Sequence, residues 1–132
     1  MKQQIILKIN VKTSNNTIYT EAIAYQIKEQ IEKQNLGTFI QDDIFTKAEP
    51  IKTTIDLKDV AFKMTNPTIK EDKLLVDIKI LKDLPNGKIL NDIIDIVVFR
   101  PRGIGNVDEN GIITDYKLIC INAINKDSDT FK

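Results

Sequence analysis

LPNGKILNDIIDIVVFRPRGIG, residues Leu84 to Gly105, is the stretch around which the rest of the chain is organised. Pro85-Asn86-Gly87 reads as a turn, and after it Ile89, Leu90, Ile93, Ile94 and Val97 fall at helical spacing. The end of this short helix merges into a β-branched run, Ile96-Val97-Val98-Phe99, which predicts a strand. Pro101 has no donor to offer and is expected to break the ladder, while Gly103 and Gly105 permit backbone angles closed to other residues. The expectation is a loop, a helix, a strand and then a tight exposed turn that carries Arg100 and Arg102.

On the N-terminal side, Gln3 to Lys12 alternates, with Ile5, Leu7, Ile9 and Val11 on one side and Ile6, Lys8 and Asn10 on the other, as a strand would. Thr13 to Asn16 is turn chemistry. From Glu21 the period lengthens, and Ile23, Ile27 and Ile31 define one face of a helix capped by Thr20, with Gly37 as its expected stop. Phe39 to Pro50 reads as a connection with an acidic pair, Asp42 and Asp43. Ile51, Thr53, Ile55 and Leu57 then share one side, and Val60, Phe62 and Met64 another, beyond a bend. Asn66-Pro67 and Glu71-Asp72 are turn residues, and Leu74 to Leu81 supplies the second strand of an antiparallel hairpin.

On the C-terminal side, Asn110-Gly111 between Val107 and Ile112 marks another hairpin. Tyr116 to Ala123, YKLICINA, is apolar on both faces and predicts a central, covered strand. Asn125 to Lys132 is a polar tail, expected on the surface or reaching a neighbour.

At 132 residues with 42% hydrophobic content, the chain is expected to form one domain, 1–132, with its own core. Its 19 basic residues balance 19 acidic ones, which argues against a partner held by field alone, whether bulk nucleic acid or an anionic membrane, although a local basic spot remains open. A single cysteine, Cys120, rules out a disulfide framework within the chain, and the lack of histidine rules out a Cys/His zinc site. No long apolar run precedes the first strand, so a soluble, intracellular protein is expected.

Candidate chemical groups are sparse. Ser14 and Ser128 are the only serines and no base is placed to activate either. Cys120 lies in the two-sided apolar strand and reads as core. Asp42 with Asp43, Asp92 with Asp95, and Asp127 with Asp129 are too thin for a calcium loop and read as solvated surface. Gly103-Ile104-Gly105 lacks the third glycine of a nucleotide fingerprint. No cofactor and no metal is expected.

Taken together, Leu84-Pro85-Asn86-Gly87-Lys88-Ile89-Leu90, the Arg102-Gly103-Ile104-Gly105 turn, Asp115-Tyr116-Lys117-Leu118-Ile119 and the Lys126 to Phe131 tail resemble segments of the prohead core proteases of tailed phages, relatives of the herpesvirus assemblin. Asn15 to Thr20 before the first helix adds a weaker match. The resemblance is specific from Ile78 to Ala123 and weak before Ile51. It implies an α+β fold: a small antiparallel β-barrel or strongly curved sheet with two to three flanking helices, herpesvirus-protease-like. In that family two serines precede the Arg-Gly of the turn, and one is the nucleophile. Here those places hold Arg100 and Pro101, and no histidine exists to act as base.

The expectation is therefore a protease fold without protease activity, kept in the virion as an auxiliary capsid protein bound to the major capsid protein, with self-association open. Arg100, Pro101, Arg102 and Phe131 are the expected protein-binding residues, the arginines pairing with carboxylates of a neighbouring subunit. The alternatives are an internal scaffold or cargo protein of the head, or a protease with a displaced or shared active site.

Overall fold

The structure, a computed structural model, describes residues 1–40 and 55–131. Its elements in chain order are β1 (Gln4–Lys8), α1 (Glu21–Lys33), β2 (Leu36–Phe39), β3 (Val60–Lys70), β4 (Lys73–Ile80), α2 (Pro85–Asp92), β5 (Val97–Val107) and β6 (Ile113–Asn125). The strands form one sheet in the order β1-β4-β3-β2-β6-β5, curled into a half-barrel flanked by the two helices. Every pairing is antiparallel except β2 with β6, so the sheet is mixed where an antiparallel one was expected.

One apolar cluster fills the concave side. Phe39, Phe62, Met64, Leu74, Val76, Ile78, Phe99 and Ile121 come from the sheet, Ile23, Ile27 and Ile31 from α1, and Leu90 from α2. Phe62 and Phe99 meet edge to face at 5.0 Å. The three isoleucines spaced by four in α1 therefore do what their period predicted, and Thr20 caps the helix by accepting from the Ile23 amide.

Several expectations fail for identifiable reasons. A bulge in β1 turns both Ile6 and Leu7 inward, so the strict alternation is lost, and Val11 is exposed beyond the end of the strand. Asn66-Pro67 is a bulge within β3 rather than a turn, with Asn66 in the left-handed region, while Glu71 and Asp72 do make the hairpin turn. Leu57 is 78% exposed in a single 3₁₀ turn and belongs to no strand. Asp42, Asp43, Pro50, Ile51 and Thr53 lie outside the described residues.

The glycine readings need the largest correction. Gly37 does not stop α1, whose C-cap is Gln34, but sits in β2 opposite Phe62. A Cβ there would lie 2.0 Å from the buried Phe62 ring. Pro85-Asn86-Gly87 is the first turn of α2, with Pro85 in the position where a missing N–H costs nothing. The Asn86 amide donates to the Phe39 carbonyl at 2.7 Å, and a Cβ on Gly87 would strike the Leu81 carbonyl at 1.8 Å. This motif thus bolts α2 to the end of β2 at close range.

β5 also runs straight through Pro101, which pairs with Ile121, and no turn interrupts residues 100–105. An edge strand is where a sheet tolerates a residue with no N–H. Gly103 and Gly105 keep ordinary backbone angles; a Cβ on them would stand 2.4 and 2.7 Å from the Lys117 and Asp115 carbonyls, and 2.6 and 3.0 Å from the Tyr116 ring.

The short β2 leaves a gap between β3 and β6, and α1 lies against both of these strands. Gln30 works there like a piece of strand, accepting from the Leu118 amide at 2.7 Å and donating to the Tyr116 carbonyl at 3.4 Å. Gly37→Ala is expected to displace the Phe62 ring and destabilise the protein by about 2 kcal/mol. Urea unfolding checks this, and a midpoint equal to wild type would show that the ring has room to yield.

Candidate functional site: the barrel seam at Arg100

The strand order leaves β1 and β5 as the two edges, and the curl of the sheet sets these edges side by side. They share no ladder. The alternation of β5 points Phe99 into the core and Arg100 to the opposite side. The Arg100 guanidinium reaches across the seam, donating through Nη1 to the Ile5 carbonyl of β1 at 2.6 Å and to the Phe99 carbonyl at 2.8 Å. Its Nε and Nη2 donate to the two carboxylate oxygens of Asp129, each at 2.8 Å. The guanidinium also stands 5.5 Å from the centre of the Phe131 ring.

The tail is therefore docked against the body of the domain. Phe131 is 7% exposed, its amide donates to Asp129 at 3.1 Å, and the Thr130 carbonyl accepts from the Ser14 amide at 2.8 Å. Its ring meets Tyr19 at 5.9 Å, and Tyr19 in turn meets Tyr116 at 5.8 Å. Burial pushes the phenol pKa values of both tyrosines up, so they stay neutral well into the alkaline range. For Asp129 burial opposes ionisation, but the hydrogen bonds from Arg100 and the Phe131 amide outweigh it and hold the carboxyl below its usual range.

Two positions along β5, Arg102 faces the same side as Arg100 and lies opposite Cys120. Its Nη2 donates to Cys120 Sγ at 3.1 Å, and its Nε and Nη1 are buried without a hydrogen-bond partner among the described residues. The thiol also lies 3.3 Å from the Thr38 hydroxyl, which donates to Asn122 Oδ1 at 2.9 Å. Cys120 and Thr38 are both fully buried and Asn122 nearly so. This polar strip on β2, β5 and β6 backs the seam on the face away from Phe99 and Ile121.

The expected site residues are thus brought together, but not as an exposed patch. Arg100, with 12% of its side chain exposed, pairs with a carboxylate within the chain, and Asp129 is 13% exposed. Pro101 and Arg102 are part-buried in a strand, and Phe131 is packed against the body of the domain. Cys120 is core, as its apolar run implied. Ser14 and Ser128 stand exposed, in the turn and in a 3₁₀ turn of the tail. Asp95 lends its backbone carbonyl to Lys126, and Asp129, read as solvated surface, is instead a clamp residue. Among the described residues no three acidic or cysteine groups converge as metal ligands would.

Sequence reasoning missed Thr38, Asn122, Asp129 and Gln30. An asparagine inside YKLICINA was the available signal for a polar strip, since a buried amide must find partners.

No protein-family model and no curated protein matches the chain. Among solved structures it is similar to the capsid assembly protease of bacteriophage T4, with a TM-score of 0.73 at 20% sequence identity over 92% of this chain and 79% of that one. The half-barrel with its two helices is accordingly a phage prohead protease-like fold.

Arg100→Ala is expected to lower unfolding stability by about 3 kcal/mol, because it leaves a part-buried carboxylate and the Ile5 carbonyl without their donors. Hydrogen exchange at the tail and β1 amides would rise in the same variant; unchanged exchange there would refute the clamp. Since the Asp129 pKa is lowered by folding, its contribution is fully present above the carboxylate range, about pH 4. It disappears as pH falls through the folded value. The stability gap between wild type and Asp129→Asn should therefore be constant near neutrality and close in acid, and a gap independent of pH down to acid would contradict this assignment.

Proposed function

We propose that this chain is a structural protein of a tailed-phage head, an auxiliary component that decorates or stabilises the shell by binding the major capsid protein, and that it has no proteolytic activity of its own. The observation that carries this reading is what occupies the seam. In the resemblance, the places of the two serines are taken by Arg100 and Pro101, and the Arg100 guanidinium is engaged by Ile5, Phe99 and Asp129. A seryl nucleophile needs a hydroxyl, a base to take its proton and donors for the oxyanion. With no histidine in the chain, the usual base is missing as well.

The likeness to a capsid assembly protease supports the head as the setting, and the same reading takes the half-barrel as herpesvirus-protease-like. A fold of this kind, freed of catalysis, keeps its core and its seam because both serve stability. Self-association with other copies of the chain is compatible with this role. Among the described residues no helix is long and apolar enough to cross a membrane.

The decisive measurement is the copy number and position of this chain in purified particles. Copies on the shell in a stoichiometry near that of the major capsid protein are the expected result. A few copies inside the shell would overturn decoration in favour of an internal scaffold or cargo protein. Co-expression with the major capsid protein should leave the latter uncut. Processing that disappears on Cys120→Ala or Ser128→Ala would overturn the inactive reading.

A further inference from the structure

The convex face of β1, β4 and β3 carries lysines in register. Lys8 of β1 pairs with Lys73 of β4, and Lys73 pairs on its other side with Lys70 of β3. Three ammonium groups thus stand in one row across three strands, with neighbouring Cβ atoms about 5 Å apart. Further along the same face, Lys63 pairs with Lys79. The intervening residues Leu74, Val76 and Ile78 point to the core, so strand alternation puts the lysines on the outer side.

Like charges directly opposite in a sheet destabilise it, and a chain with as many acidic as basic side chains had ready means to avoid them. Among the described residues none of the five lysines has an ion pair within 4 Å, although Lys8 feels the field of Asp129. Asp77, on the same face between the two rows, is already engaged by the Gln3 amide at 2.9 Å, Asn66 at 3.0 Å and Lys2 at 3.5 Å. Among the described residues the row therefore presents positive charge that no ion pair compensates.

We propose that this face is the docking surface for a carboxylate-rich segment of a partner protein. A nucleic acid fits it less well, because a phosphate backbone requires a continuous positive track. Here Asp77 separates the two lysine rows and Glu71 and Asp72 stand at the hairpin end. A protein partner tolerates such interruptions, since complementarity is met residue by residue. The inference uses only charge and strand register, so it stands or falls separately from the head-assembly reading.

A short fluorescein-labelled oligoglutamate peptide and a labelled DNA duplex serve as probes of the full chain by fluorescence polarisation. The peptide should bind in a salt-sensitive manner and more tightly than the duplex. The triple variant Lys8→Gln/Lys70→Gln/Lys73→Gln should bind it roughly tenfold more weakly, while Lys33→Gln/Lys88→Gln/Lys117→Gln, with the same change of charge elsewhere, should bind like wild type. Equal losses in both variants, or tighter binding of the duplex, would overturn the proposal. Lys73→Glu is a second probe, because it turns two repulsive pairs into attractive ones. It should raise the melting midpoint by about 1–3 °C and still lose the peptide, whereas a lower midpoint would remove the premise of cross-strand repulsion.

Discussion

The half-barrel depends on how its two unpaired edges are held together. β1 and β5 lie side by side without a ladder, and one guanidinium spans them, joining the Ile5 carbonyl to the Asp129 carboxylate. Arginine suits this task because its donors point in fixed, coplanar directions and it stays charged at every relevant pH. A lysine in its place would supply a point charge but could not serve two carboxylate oxygens and two carbonyls at once. The arrangement also manages an exposure problem, since open strand edges invite pairing with other chains.

Close backbone approach is the second constraint. Gly37 lets the Phe62 ring lie on β2, Gly87 lets α2 rest on the Leu81 carbonyl, and Gly103 and Gly105 accept the Tyr116 ring. Tyr116 then continues through Tyr19 and Phe131 to Arg100, so the far hairpin, the start of α1, the tail and the seam form one contact chain. The docked tail is a consequence of this packing. Its polar composition concealed one aromatic anchor and one carboxylate, which hold it together with the Ser14–Thr130 backbone bond.

This organisation bears on the proposed function through what occupies the seam. A site that does chemistry needs reactive groups with room for a substrate, whereas Arg100 is enclosed by partners and Cys120 is sealed beneath Thr38, Asn122 and Arg102. The lysine rows on the outer face are the opposite case, charges without an ion pair among the described residues.

Periodicity was sufficient for much of the fold. The α1 stripe and its Thr20 cap, the β3–β4 hairpin with its Glu71-Asp72 turn, the β5–β6 turn at Gly111 and the buried central strand around Cys120 were all legible, because each depends on residues near one another in the chain. The path through Pro101, the roles of the glycines, the parallel β2–β6 pair and the site at the seam were not. Sequence alone shows that Arg100, Asp129, Ile5 and Phe131 are present and what each is able to bond. Which of them meet is decided by the curl of the sheet, which brings residues from opposite ends of the chain within hydrogen-bond distance and thereby turns an arginine expected to seek a neighbour into an internal clamp.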